Sequence, residues 1–148
     1  MSKVAVVFWS ATGNTETMAN CIAEGAGAAA AIVPCAEMDA AKLGEYDVVA
    51  FGCPAMGAEQ LEEGEFEPMF SALEGTLSGK KIALFGSYGW GDGQWMRDWE
   101  ERMTAAGATV LNGEGLICQE TPDDDAIKQC EAVSYTHLRA HETSQDLV

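Results

Sequence analysis

The fold of this chain is decided by the stretch VAVVFWSATGNT, residues 4–15, in which an apolar run passes directly into a short polar loop. The next segment, residues 16–26, has the spacing of an amphipathic helix. A loop between a buried strand and a helix start directs backbone N–H groups and the positive end of the helix dipole at one place. The stretch therefore predicts a strand, an anion-binding loop and a helix, in that order.

The side chains of this loop narrow the choice of anion. The loop carries three hydroxyls, on Ser10, Thr12 and Thr15, and the amide of Asn14, but residues 10–15 contain no Lys or Arg. The expected ligand is therefore a phosphate group that neutral donors hold.

Apolar runs alternate with segments of helical spacing along the rest of the chain. The apolar runs are 4–9, 32–35, 48–52, 82–86 and a last region made of 109–111 and 116–118. The helical segments are 14–27, 39–44, 65–75, 93–106 and 123–132. This alternation predicts an α/β fold with an open, doubly wound parallel sheet of five strands and helices on both faces. Ligands of such sheets bind at the carboxyl ends of the strands.

Length and charge limit the possible functions. The 148 residues suffice for one domain, and the chain carries 24 acidic against 8 basic residues, a formal net charge of −16. Nucleic acids and anionic membranes would repel such a chain, so the acidity serves either solubility or the attraction of a basic protein partner. No apolar run approaches the about 18 residues of a membrane span, and no signal peptide precedes the first strand, so we expect a soluble cytoplasmic protein.

The chain has five cysteines, Cys21, Cys35, Cys53, Cys118 and Cys130, and none forms a C-x-x-C pair. This spacing favours neither a zinc site, nor an iron–sulfur cluster, nor a redox dithiol. An odd number without a signal sequence predicts buried free thiols in a reducing cytoplasm.

Two further loops follow predicted strands. Residues 53–62 contain Met56, which offers a polarizable face, Gly57, whose peptide can flip at little cost, and Glu59, which can accept a hydrogen bond. Taken alone, this loop is also consistent with an ordinary turn.

The other loop, residues 85–95, has glycines at 86, 89, 91 and 93, which flank the two large aromatic residues Tyr88 and Trp90. Trp90 is predicted to be a stacking platform for a flat ligand. Trp95 and Trp99 lie four residues apart on the next helix, a spacing that predicts simple core packing.

The last sixteen residues, 133–148, do not continue the hydrophobic pattern. The segment SYTHLRAHET, residues 134–143, resembles a translated cloning adaptor, so we expect a foreign tail after a domain that ends at residue 132. His137 and His141 have metal-ligand spacing, but no third ligand is near them in sequence.

The three loops together resemble those of the flavodoxins, in particular the short-chain flavodoxins of anaerobic bacteria. The resemblance covers residues 3–132 and is carried by SATGNT at 10–15, AMG at 55–57 and GSYGWGDG at 86–93. It implies a sheet of order 2-1-3-4-5, FMN as the non-covalent cofactor, and one-electron transfer as the function.

The resemblance also implies where FMN would bind. The first loop would hold its phosphate, Met56 and Trp90 would enclose the isoalloxazine ring, Glu59 would meet ring N3, and backbone groups of the third loop would face the ribityl chain. Pro54 cannot donate to the phosphate, and Ala58 has no polar side chain with which to tune the flavin. The implied site residues are Ser10, Ala11, Thr12, Gly13, Asn14, Thr15, Pro54, Ala55, Met56, Gly57, Ala58, Glu59, Ser87, Tyr88, Gly89, Trp90 and Gly91.

Electron transfer of this kind has physical requirements that the residues meet. A carbonyl turned by Gly57 would stabilise a semiquinone, and the acidic surroundings would disfavour an anionic hydroquinone, so semiquinone and hydroquinone are the expected working pair at low potential. The resemblance implies a monomer whose partners are ferredoxin-dependent enzymes with basic docking surfaces. The candidate contact residues are Glu59, Glu62, Glu63, Glu65 and Asp92.

The main alternative is a small FMN-dependent quinone or nitro reductase on the same fold. The sequence contains neither G-x-G-x-x-G nor G-x-x-x-x-G-K-[ST], so it does not indicate a dinucleotide site or a P-loop. A receiver-type signalling domain is disfavoured because the first strand ends in Trp9 and Ser10 and not in an acidic cluster for Mg²⁺.

Overall fold

The computed structural model describes residues 4–10, 13–26, 30–46, 48–56, 61–89, 93–111, 115–119 and 124–133. The strands are β1 (Val4–Phe8), β2 (Ala30–Pro34), β3 (Val48–Gly52), β4 (Lys81–Tyr88), β5 (Thr109–Val110) and β6 (Leu116–Gln119). The helices are α1 (Asn14–Ala26), α2 (Ala40–Leu43), α3 (Phe66–Leu73), α4 (Gln94–Ala105) and α5 (Asp124–Val133).

All strand pairs of the sheet are parallel, and the order β2-β1-β3-β4-β5 confirms the predicted doubly wound fold. The last position of the sheet differs from a simple five-stranded arrangement. Two short strands share it, because β5 pairs with the start of β4 at Lys81 and Ile82, and β6 pairs with its end from Phe85 to Tyr88. The sixth strand is a small addition to the predicted sheet.

Strand ends differ from the predicted ones by one or two residues in every strand but β3, and two of these differences have a clear physical cause. β2 ends at Pro34, and Cys35, predicted as its last residue, begins a 3-10 turn. Proline has no N–H for a sheet ladder, and it is tolerated here because β2 is the edge strand of the sheet. β4 extends two residues past Gly86, because Ser87 and Tyr88 find pairing partners on β6.

The buried side chains form two layers, one on each face of the sheet. The aromatic layer contains Phe51 of β3, Phe66 and Phe70 of α3, and Trp95 and Trp99 of α4. The small-residue layer lies beneath α1 and α5, and it is built mainly from alanine, valine and cysteine. Its buried members are Val4, Val6, Met18, Ala19, Ile22, Ala26, Val48, Ala50, Ala83, Phe85, Cys118, Ala126 and Cys130.

An ion network fastens α3 to α4 at the outer edge of the aromatic layer. The Arg102 guanidinium donates through Nη1 and Nη2 to the Glu67 carboxylate at 2.7 and 2.6 Å, and through Nε to Glu74 at 2.7 Å. It also lies 4.7 Å from the centre of the Phe70 ring. Arg102 therefore combines bidentate pairing with a cation–π contact.

All five cysteines are free, and all but the half-buried Cys21 are buried, in agreement with the prediction. Burial raises the pKa of the Cys130 thiol to about 12 and that of Cys35 to about 11. Within the described ranges, no group of three or more ligand side chains is arranged to hold a metal ion. None of the helices found there has the length and apolar character required to cross a membrane.

Candidate functional site

The three loops singled out in the sequence begin at one edge of the sheet, because β1, β3 and β4 are neighbours and run in the same direction. Backbone hydrogen bonds also join the segments that directly follow these strands. The Trp9 N–H donates to the Gly52 carbonyl at 3.0 Å, and the Ala55 N–H donates to the Ser87 carbonyl at 3.0 Å. The starts of the loops are therefore held at fixed positions relative to one another.

The first loop leads into α1 through Gly13, whose φ of 95° lies in the left-handed region that favours glycine. The Ser10 hydroxyl oxygen accepts the N–H of Gly13 at 3.1 Å and that of Glu16 at 3.4 Å. Ser10 thus ties the strand end to the first turn of the helix. Ala11 and Thr12, predicted to belong to the same loop, lie outside the described residues.

A buried contact joins the first loop to the third. Thr15, in the first turn of α1, and Ser87, near the end of β4, are both buried, and their hydroxyl oxygens are 3.1 Å apart in a hydrogen bond. The sequence prediction placed both residues at the cofactor but did not pair them. Because they lie 72 positions apart, no local signal indicates the contact.

The second loop leaves β3 through Cys53 and Pro54, and its described part ends at the half-buried Met56. The chain returns at Leu61, which is buried, and the Glu62 N–H donates to the Cys53 sulfur at 3.3 Å. This bond closes the base of the loop. Gly57, Ala58 and Glu59 lie outside the described residues.

The Glu62 carboxylate has a structural task at the start of α3. It accepts the N–H groups of Gly64 and Glu65 at 2.7 Å and that of Phe66 at 2.9 Å. Desolvation opposes ionisation, but these three hydrogen bonds together lower the pKa of Glu62 below its usual range. Of the other candidate docking residues, Glu63 and Glu65 are exposed, whereas Glu59 and Asp92 lie outside the described residues.

The third loop begins with Tyr88, which is half-buried, and Gly89, which is exposed. A Cβ atom added to Gly89 would meet nothing within 4 Å, so there is open space beside this residue. Trp90 and Gly91 lie outside the described residues. The chain resumes at Gly93, whose φ of 92° turns it into α4.

Beneath these loops lie the two tryptophans predicted to be core residues, and both are buried. Trp95 also has a polar role that the sequence did not indicate, since its Nε1–H donates to the Cys53 carbonyl at 3.1 Å. Its ring centre is 5.6 Å from that of Tyr88. Cys53 is therefore a junction residue missing from the predicted site, and its position between a strand and a proline is its only sequence signal.

The phosphate end of the site fits a phosphorylated ligand. Ser10 uses its oxygen as an acceptor and keeps its hydrogen to donate, and α1 has 13 residues, long enough to develop a helix dipole. The open space at Gly89 lies at the same edge of the sheet. A doubly wound parallel sheet with these three loops defines an α/β protein that binds a phosphorylated cofactor at the carboxyl ends of its strands.

Comparison with known proteins identifies the particular family. The family model for flavodoxin matches residues 6–132, so the chain belongs to the flavodoxin family. It is 48% identical over 122 residues to a flavodoxin of Clostridium beijerinckii, which covers 80% of this chain and 88% of the relative. A flavodoxin of Megasphaera elsdenii is 46% identical over 124 residues, covering 82% of this chain and 89% of the relative.

The solution structure of two-electron reduced Megasphaera elsdenii flavodoxin superimposes with a TM-score of 0.78 at 42% identity, covering 90% of this chain and 98% of that one. Membership of this family makes the chain an FMN-binding electron carrier that works with redox proteins. Because flavodoxins transfer electrons and do not turn over a substrate of their own, the reductase alternative is not supported.

Proposed function

We propose that this flavodoxin is a low-potential one-electron carrier that moves between the one-electron-reduced and fully reduced forms of FMN and delivers electrons to redox proteins with basic docking surfaces. The observation that carries the proposal is the charge around the cofactor. No Lys or Arg occurs in residues 10–15, and the whole chain has a net charge of −16. Added negative charge on the flavin is disfavoured in such surroundings.

We further propose that Ser10, Gly13, Asn14 and Thr15 hold the phosphate, while the loops after β3 and β4 hold the ring. Two observations support the phosphate part of this proposal. The hydroxyls of Thr15 and Ser87 are hydrogen-bonded to each other, and the Ser10 hydroxyl has a hydrogen to donate. Met56 and Tyr88 are half-buried at the same sheet edge. The roles of Ala11, Thr12, Pro54, Ala55, Gly57, Ala58, Glu59, Gly89, Trp90 and Gly91 remain proposals from the family resemblance.

A redox titration followed by visible absorption tests the proposed potentials. We expect two separate one-electron steps, the second at the lower potential. A matched pair of variants locates the cause: Gly57→Thr should reduce the yield of the one-electron-reduced form, whereas Gly75→Thr, at a position where an added Cβ meets nothing within 4 Å, should leave it unchanged. A single two-electron step in the unaltered protein would refute the proposal.

The proposed partners have a separate test. Surface charges are screened over about 10 Å at 0.1 M salt, so electron transfer to a basic haem protein should slow as the ionic strength rises. A rate that is independent of salt would exclude electrostatic docking. We propose a monomer in the cytoplasm, a location that agrees with five cysteines that form no disulfide.

A further inference from the structure

Cys53 is the point at which three elements of the site meet. Its N–H donates to the Phe85 carbonyl of β4 at 3.1 Å, its sulfur accepts the Glu62 N–H at 3.3 Å, and its carbonyl accepts the Trp95 indole N–H at 3.1 Å. Burial raises the pKa of its thiol to about 12, so the sulfur acts as a neutral hydrogen-bonding group.

The end of β4 approaches Cys53 closely because residue 86 has no side chain. A Cβ atom on Gly86 would lie 2.2 Å from the Cys53 carbonyl oxygen and 3.1 Å from the six-membered ring of Trp95. Trp95 fills the remaining space, and the Tyr88 ring packs against it at 5.6 Å between centres. The indole therefore contacts the ends of both strands from which the ring-binding loops emerge.

Pro54 makes the orientation of the Cys53 carbonyl important for the residues that follow. The carbonyl lies in the plane of the Cys53–Pro54 peptide, and the proline ring fixes the next φ near −65°. A hydrogen bond that fixes this plane also limits the direction in which Ala55 and Met56 leave the strand. The Ala55 N–H then reaches the Ser87 carbonyl at 3.0 Å.

We propose that Trp95 is a positioning residue for the cofactor, whose indole N–H holds the Cys53 carbonyl and so aims residues 54–56 at the flavin ring. The inference deepens the proposed function and rests on it, because that function places the loop after β3 against the ring. In this proposal Trp95 makes no contact with the cofactor and acts on it only through residues 54–56.

The chain offers a matched control in Trp99. The two tryptophans are one helical turn apart on α4 and are 1% and 2% exposed. The Trp99 Nε1 atom, however, has no hydrogen-bond partner within the described part of the chain. Trp95→Phe and Trp99→Phe therefore each replace one buried indole of the aromatic layer by a phenyl ring, but only Trp95→Phe removes a hydrogen bond.

Both variants and the unaltered protein are compared in three measurements. FMN titration gives the Kd, a redox titration of the holoprotein gives the first reduction potential, and NMR of the apoprotein gives the amide resonances. Relative to Trp99→Phe, we expect Trp95→Phe to raise the Kd for FMN about twofold to tenfold, the factor to which the net free energy of one hydrogen bond converts. It should also shift the first potential and the amide resonances of Ala55 and Met56. Trp99→Phe should lower the stability but leave these resonances in place.

Equal effects of the two variants on FMN binding and on the resonances of Ala55 and Met56 would overturn the inference and reduce Trp95 to a packing residue. If Trp95→Phe does not fold, a tryptophan isostere with sulfur in place of the N–H, installed at position 95, supplies the same comparison. Failure of the unaltered protein to bind FMN would refute the proposed function instead. The amide resonances of the apoprotein would still test whether Trp95 orients the loop.

Discussion

The two layers on either side of the sheet are built from different side chains. In the aromatic layer, Phe66 and Phe70 stack nearly parallel at 6.2 Å, and Trp99 meets both edge-on at 5.5 and 5.8 Å. The small-residue layer has a single buried aromatic residue among its described members, Phe85. One face is thus held by a few large rings of fixed shape, the other by many small contacts.

Each of the two layers lies next to a different end of the proposed site. The helices above the aromatic layer, α3 and α4, follow the two loops proposed to hold the ring. The helix α1 above the small-residue layer begins at the loop proposed to hold the phosphate. The proposed ring end therefore rests on rigid packing, and the proposed phosphate end on backbone N–H groups and hydroxyls.

The largest expected effect comes from opening the aromatic layer. Phe70 is fully buried against Phe51, Phe66 and Trp99, so Phe70→Ala should lower the free energy of unfolding by about 3–5 kcal/mol, as measured by urea denaturation of the apoprotein. Ile22→Ala, the matched change in the other layer, should remain near the lower end of the about 2–5 kcal/mol typical of such truncations, because its small neighbours adjust more easily. A larger loss for Ile22→Ala than for Phe70→Ala would contradict this difference between the two layers.

A smaller effect concerns the ion network of Arg102, Glu67 and Glu74 beside the aromatic layer. Hydrogen bonds from Arg102 lower the pKa of Glu67, with further help from Ser71. A lowered pKa stabilises the folded state above the unfolded-state pKa and ceases to do so as the pH falls through the folded-state pKa. Glu67→Gln should therefore lower the free energy of unfolding at neutral pH by about 1 kcal/mol or less.

The difference between Glu67→Gln and the unaltered protein should begin to shrink as the pH falls below the ordinary carboxyl pKa of 4.5, and it should vanish once the pH is below the lowered pKa of Glu67. Thermal unfolding across this range measures it. The control is Glu101→Gln, which removes the same charge. Glu101 is exposed and directly precedes Arg102 in α4. Equal losses in both variants would show that general charge, and not the network, is responsible.

The smallest effect is expected from the C-terminal segment. The family match ends at residue 132, and we propose that residues 133–148 lie outside the domain, with Val133 the last residue of α5. Their removal should change the free energy of unfolding by no more than about 0.5 kcal/mol, the usual range for changes away from packed features, and leave the Kd for FMN unchanged. A large loss of stability on truncation would instead place this segment within the small-residue layer.

Much of the fold could be predicted because the strands β1, β3 and β4 are almost wholly apolar and lie between helices of clear period. The two apolar runs of the last sheet position, 109–111 and 116–118, were located in the sequence, but their division into two strands that pair with different parts of β4 was not. The Gly115 N–H, just before β6, is held by the Glu100 carboxylate at 2.6 Å, a contact with the preceding helix. Such tertiary contacts leave no trace in local periodicity.

The candidate site shows the same division. The three loops were identified by glycines, hydroxyls and aromatic residues placed after strands. The bonds that hold them together, from Thr15 to Ser87 and from Trp95 to Cys53, span 72 and 42 positions. A periodicity argument assigns Trp95 and Trp99 the same role, and only the positions of their indole nitrogens distinguish them.

The Ser10 hydroxyl has a consequence for ligand selectivity. With the Gly13 and Glu16 N–H groups directed at its oxygen, both of its lone pairs are in use, and only its hydrogen remains to be offered. Such a group accepts no further donor, so an amine or a protonated base gains nothing there. We therefore expect the loop to favour a phosphate ester, whose charged oxygens accept a strong hydrogen bond, over an unphosphorylated vitamin, whose terminal alcohol is an uncharged and weaker acceptor.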